Sequence, residues 1–134
     1  MKILLDTHIA LWAVLKSDAL TSETRKMLVS SDNKIYYSVI SIWEVSLKHS
    51  INPQNMEVSP SEFRQFCQES GFIEIPVEYQ HILALDSLEP KEGYSIHKDP
   101  FDRLLLAQAI VEEMYFVTHD SKIATFSSEN VILV

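Results

Sequence analysis

The sequence predicts an α/β fold, a three-layer α/β/α sandwich on a mainly parallel central sheet. Two observations predict it. Short runs such as Lys2–Leu5 and Phe116–Thr118 alternate with longer segments of helical apolar spacing. Most of these runs are largely apolar, as strands covered on both faces are. The 134 residues have the length of one domain, residues 1–134, and can bury a full core without staples.

Residues 2–5 (KILL) read as the first strand. THIALWAVL follows as a helix, with Thr7 able to cap it and apolar positions at Ile9, Leu11, Trp12 and Leu15. Residues 21–30 form the second helix, capped by Thr21 or Ser22, with Glu23 suiting the dipole of its first turn. Lys34–Tyr37 is a strand, and residues 41–50 are the third helix. After a loop, Ser59-Pro60-Ser61-Glu62 has the spacing of a capping box with proline in the first turn. That helix stops at Gly71. Phe72–Ile75 is a strand, 77–86 a helix, 89–98 a loop and 100–114 a long helix. Phe116–Thr118 is a strand, 121–126 a short helix and Val131–Val134 a terminal strand.

Composition narrows the function classes. Apolar residues make up 46% and charged residues 22%, ordinary for a globular protein, and two glycines leave little room for flexible linkers. The single cysteine, Cys67, forms no internal disulfide and reads as a buried, inert thiol on a helix face. No apolar stretch approaches about 18 residues, so no membrane span is expected. Asp6 interrupts the N-terminus before a signal-peptide core forms, and a cytoplasmic location is expected. The net charge of -8 disfavours a simple cationic grip on nucleic acid. It leaves nucleic acid open as a substrate, because metal ions or a basic partner can offset it.

Four acids border or enter apolar runs: Asp6 after KILL, Glu44 in VISIWEVSL, Asp102 heading FDRLLLAQAIV, and Asp120 ending YFVTHD. Carboxylates are costly to bury unless paired or bound to metal. Parallel sheets place sites at the carboxyl ends of their strands, and Asp6 and Asp120 both follow strands. Glu44 and Asp102 lie near helix starts that can face the same edge. Each acid also has a local account. Asp6 and Asp120 can cap the helices after them, Ser41 and Glu44 have capping-box spacing, and Glu44 can pair with Lys48. Asp99 can cap the helix of DPFD, placing Pro100 at its first position and Asp102 at its third, with Arg103 spaced to pair with Asp99.

A converging carboxylate set favours a hard ion, Mg²⁺ or Mn²⁺. No HxxxH or CxxC spacing suggests zinc, and neither a phosphate-binding glycine loop nor a GxSxG elbow occurs. His8, His97 and His119 adjoin the acids, His49 lies near the third helix, and the histidines read mostly as surface or supporting residues. Trp12 and Trp43 read as core packing.

The segments LLDTHIALW, SVISIWEVSLK, HKDPFDRLLLAQA and FVTHDSKI resemble the PIN-domain family, in particular VapC-like ribonuclease toxins of a DPFDR-containing subgroup. They occur in family order and span nearly the whole chain. The resemblance implies a Mg²⁺- or Mn²⁺-dependent endoribonuclease that leaves 5′-phosphate and 3′-hydroxyl ends. It implies that Asp6, Glu44, Asp102 and Asp120 are catalytic and metal-binding, with Asp99 a further candidate ligand. Lys48, Lys98, Arg103 and Lys122 can steer RNA or simply pair on helix surfaces, and Thr7 and Thr118 can position a water or ligand. A VapB-like antitoxin and a homodimer are further expectations of the family. Lys98 stands where an arginine often precedes the Asp, and EPKEGYSIH is a long loop for the family.

Two other readings compete. A receiver-type signalling module also gathers acids and Mg²⁺ at strand ends, but here Asp6 stands alone after its strand and Tyr36-Tyr37-Ser38 offers no phospho-acceptor. The other is a PIN-like scaffold that binds a partner or RNA without cutting.

Overall fold

The computed structural model describes residues 1–134. Five strands, β1 (Lys2–Leu5), β2 (Lys34–Ser38), β3 (Ile73–Ile75), β4 (Tyr115–Thr118) and β5 (Val131–Leu133), form one sheet in the order β3-β2-β1-β4-β5. Every pairing is parallel. Six helices accompany them: α1 (Thr7–Val14), α2 (Ser22–Val29), α3 (Val39–Ile51), α4 (Pro60–Glu69), α5 (Tyr79–Leu83) and α6 (Pro100–Val111). No helix is long and apolar enough to cross a membrane.

Two cores flank the sheet, and the alternation of β1 divides them. Ile3 and Leu5 pack with Ile9 and Ala10 of α1, Val45 of α3 and Phe63 and Cys67 of α4. Leu4 faces the other way, with Phe116 of β4 and Leu105, Leu106 and Ala109 of α6. This is the expected three-layer sandwich. The order also bears on the receiver reading, because receiver domains have the order 2-1-3-4-5. Here β3 lies outside β2 instead of beside β1, and the connection from β3 crosses back over the sheet to β4, which pairs with β1.

Local chemistry explains most boundaries, and several differ from expectation. Ser59 and Glu62 form the capping box of α4, and Gly71 just past its end adopts φ 79°. Helix α1 is capped by Asp6 rather than Thr7, which is its first helical residue. Helix α3 starts at Val39 with Ser38 as cap, so β2 runs straight into it and Ser41–Glu44 forms no capping box. The segment expected as one helix over 77–86 is α5 followed by a 3₁₀ turn at Ala84–Ser87. Helix α6 ends at Val111, short of residue 114, and Glu113 turns the chain at φ 56°. Residues 121–126 hold only a 3₁₀ turn, Ile123–Thr125.

Candidate metal centre

The sheet order places the site. Going outward from β1, the chain proceeds in opposite directions to β2 and to β4, so loops after β1 and β4 diverge and leave a crevice at the carboxyl edge. Asp6 follows β1 directly, and Asp120 lies two residues past β4. Helices α3 and α6 bring Glu44 and Asp102 to the same edge. An open cleft of about 340 Å³ is lined by Asp6, Glu44, Asp99, Asp102 and Asp120, together with His8, Trp12, Lys48 and His119. The acids expected from the sequence therefore share one cleft.

The fold fixes most of these carboxylates with its own donors. Asp6 Oδ1 accepts from the Thr7 N–H at 2.7 Å, and Oδ2 accepts from the Thr118 hydroxyl at 2.6 Å. The same Thr118 oxygen accepts from the Asp120 N–H at 3.0 Å. Thr7 Oγ1 lies 2.7 Å from Glu44 Oε1 and 2.8 Å from Ser41 Oγ. A carboxylate only accepts, so the single Thr7 proton goes to Glu44 and Ser41 supplies its own to Thr7. Lys48 Nζ holds the other Glu44 oxygen at 2.6 Å, the expected pair one helical turn on. Thr7 and Thr118, expected near a ligand, thus hold acids in place.

Asp99 is the N-cap of α6, its Oδ1 accepting from the Phe101 and Asp102 N–H groups. Asp102 is free of that duty. Its Oδ2 meets His97 Nε2 at 2.7 Å, and the same nitrogen lies 3.9 Å from Asp120 Oδ2. Donor atoms of His97, Asp102 and Asp120 all lie within 4.8 Å of one another, close enough to share one ion. Asp120 also turns its own loop, with Oδ1 accepting from the Lys122 N–H.

Electrostatics follow from burial. Asp6, Glu44 and Asp102 are 4%, 4% and 8% exposed, so their charges have lost most of their water. Burial pushes the Asp102 carboxyl up to about 7 against the opposing His97 hydrogen bond, with Asp6, Asp99 and Glu44 adding repulsion. Asp6 is also raised, by burial first, although Thr118 and Thr7 pull it back. Crowded, dehydrated carboxylates of this kind are what a divalent cation relieves, and the oxygen-rich donor set fits such an ion.

Other expectations fare differently. Arg103 does not line the cleft, forms no ion pair with Asp99, and buries Nε without a partner. Lys98 and Lys122 border a neighbouring hollow with Tyr94 and His97. Trp43 is 55% exposed and lies edge-on to Phe101, so it is not a core residue. Trp12, by contrast, packs half-buried against the core as expected and also lines the cleft between His8 and His119. Cys67 is buried, and burial pushes its thiol up to about 12, as an inert cysteine requires. Among the histidines, His81 is fully buried and bonded to Glu112 rather than superficial. His97, read with the other histidines as a surface or supporting residue beside the acids, bonds Asp102 directly, a pairing the sequence did not specify. Its one signal is its place two residues before the DPFD cap, and a loop position gives no periodicity from which to read direction.

The PIN domain family model matches residues 3–128. A search of curated proteins found no significant match. Among solved structures, the chain is similar to VapBC2 from Rickettsia felis bound to a DNA fragment from their promoter. That match has 22% identity and a TM-score of 0.69, covering 100% of this chain and 98% of that one. It is also similar to a toxin–antitoxin complex from Klebsiella pneumoniae, with 19% identity and a TM-score of 0.61, covering 97% and 95% of the two chains.

Proposed function

This chain belongs to the PIN-domain family, and from that premise we propose that it is a Mg²⁺- or Mn²⁺-dependent endoribonuclease, the toxin of a toxin–antitoxin pair. One observation carries the reading: Asp6, Glu44, Asp99, Asp102 and Asp120 line a single cleft at the switch point between β1 and β4.

Asp6, Asp102 and Asp120 would hold the ion, with Glu44 binding it directly or through water. The ion would supply an activated water as nucleophile and positive charge against the developing charge on the phosphate. The chain's own contribution is preorganisation. Asp6 is held at both oxygens and Glu44 at both oxygens, so these acids need little rearrangement when substrate arrives. Asp99 holds the start of α6, which keeps Asp102 aimed at the cleft. Lys48, His8 and His119 line the same cleft and offer donors to an RNA backbone. Trp12 offers a ring to an unstacked base. Hydrolysis would leave 5′-phosphate and 3′-hydroxyl ends.

The partner follows from charge. A cleft crowded with carboxylates in a chain of net charge -8 suits a basic peptide segment. A VapB-like antitoxin inserting such a segment is the proposed partner; of the similar structures, one is VapBC2 and the other a toxin–antitoxin complex. A homodimer is proposed on family grounds. The test is incubation of purified protein with total RNA in Mg²⁺, Mn²⁺ or EDTA, with end mapping of the products. Discrete cuts that need the ion and carry 5′-phosphates support the reading. Intact RNA under every ion, with ion binding demonstrated, supports the scaffold instead.

A further inference from the structure

We propose that His97 is itself a ligand of the ion, and that its imidazole selects Mn²⁺ over Mg²⁺. The inference rests on the metal-dependent reading above and sharpens it. Three segments converge to make this donor group: the loop before α6 carries His97, α6 carries Asp102, and the turn after β4 carries Asp120. Their donor atoms form a compact group within 4.8 Å, beside Asp6 and Glu44, whose oxygens each accept one bond from the fold and keep a further lone pair for the ion.

The distances suit shared coordination. Neighbouring ligands on a six-coordinate ion with bonds near 2.1 Å sit about 3 Å apart, and opposite ones about 4.2 Å. His97 Nε2 stands 2.7 Å from Asp102 Oδ2 and 3.9 Å from Asp120 Oδ2, and the three donor atoms lie within 4.8 Å of one another, so side-chain movements of under about 1 Å bring them to coordination spacing. In the ion-free protein Nε2 is hydrogen-bonded to Asp102 Oδ2. As a ligand the same nitrogen would present its lone pair. The ring is held in place: its side chain is only 13% exposed and it meets the buried Phe126 edge-on at 6.5 Å.

Selectivity follows from ligand type. Mg²⁺ binds oxygen and gives up its waters reluctantly, while Mn²⁺, a softer first-row transition ion, accepts an imidazole nitrogen more readily. A nitrogen in the group therefore favours Mn²⁺ without weakening the carboxylate cage.

Two measurements test this. Pulsed electron paramagnetic resonance of the Mn²⁺-loaded wild type should show coupling to an imidazole nitrogen, which His97→Gln abolishes. Calorimetric titration should show that His97→Gln weakens Mn²⁺ on the order of tenfold and Mg²⁺ by less than about threefold. Equal losses for both ions, with no nitrogen coupling in the wild type, would mean that His97 only positions Asp102 and would overturn the proposal. The wild-type spectrum needs no variant, so poor folding of His97→Gln leaves the test intact. A wild type that binds neither ion would instead overturn the metal-dependent reading beneath it.

Discussion

Thr118 donates its hydroxyl proton to Asp6 Oδ2 across 2.6 Å, and the two residues stand 112 positions apart in sequence. Because the same oxygen receives the Asp120 N–H, one β4 side chain sets the position of an acid after β1 and of another after its own strand. The bond spans the pair β1–β4, where the topology opens the crevice.

Thr118→Val keeps the shape of the side chain and removes the hydroxyl. It leaves a buried Asp6 oxygen and the Asp120 N–H without their partner, which costs about 1–3 kcal/mol. Urea denaturation should show that loss, and Thr118→Ser should restore most of it. An unchanged midpoint for the valine variant would show that water replaces the hydroxyl.

Asp102→Asn should stabilise the ion-free protein at neutral pH, as sites built for function often cost stability. The Asp102 carboxyl is raised from 3.8 to about 7 in the folded chain. Between those values the folded state binds more protons than the unfolded one, so stability falls as pH rises through the window, and the penalty is complete above it. The asparagine variant removes that slope and should gain on the order of 1 kcal/mol at pH 8, a few degrees in Tm. Thermal melts of both proteins from pH 5 to 8 decide it. Parallel curves would show that Asp102 is not the strained acid.

Divalent ions should raise the melting temperature of the wild type. At a hundred times Kd a ligand specific to the folded state contributes about 2.7 kcal/mol. The shift should vanish with EDTA and should be lost in Asp102→Asn combined with Asp120→Asn. A Tm indifferent to ion concentration would leave the acid cluster without its assigned ligand.

Lys48→Met should bind Mn²⁺ more tightly than wild type while melting lower without it. Lys48 holds Glu44 Oε2 at 2.6 Å and neutralises one charge of the cluster, so its ammonium both supports the ion-free protein and repels an incoming cation. The lysine side chain is 44% exposed, so the stability loss should stay below about 1 kcal/mol. Calorimetry showing weaker Mn²⁺ binding would assign Lys48 to positioning Glu44 for the ion.

The alternation of apolar runs and helices made the sandwich legible, and acids at strand ends made the cleft legible. Capping chemistry at Ser59–Glu62 and Asp99 fixed two helix starts, because those bonds are local. What stayed hidden depends on contacts between distant segments. Whether Asp6 or Thr7 capped α1 turned on one residue of register, and Thr7 was needed by Glu44 across 37 positions. Ser41 sits inside α3 because β2 enters the helix without a loop. Trp43 looked like core from its apolar neighbours, yet its face of α3 points outward beside Phe101. His97 lies in a loop whose direction only the folded chain defines.

The most direct measurement of the central claim is the RNA cleavage rate of Asp6→Asn in Mn²⁺, beside wild type and with the fold checked by circular dichroism. Asparagine keeps the shape and can still accept the Thr7 N–H, but it removes the charge nearest the switch point. The account predicts a folded protein in which metal-dependent cuts disappear. A folded variant that cleaves at the wild-type rate would contradict it.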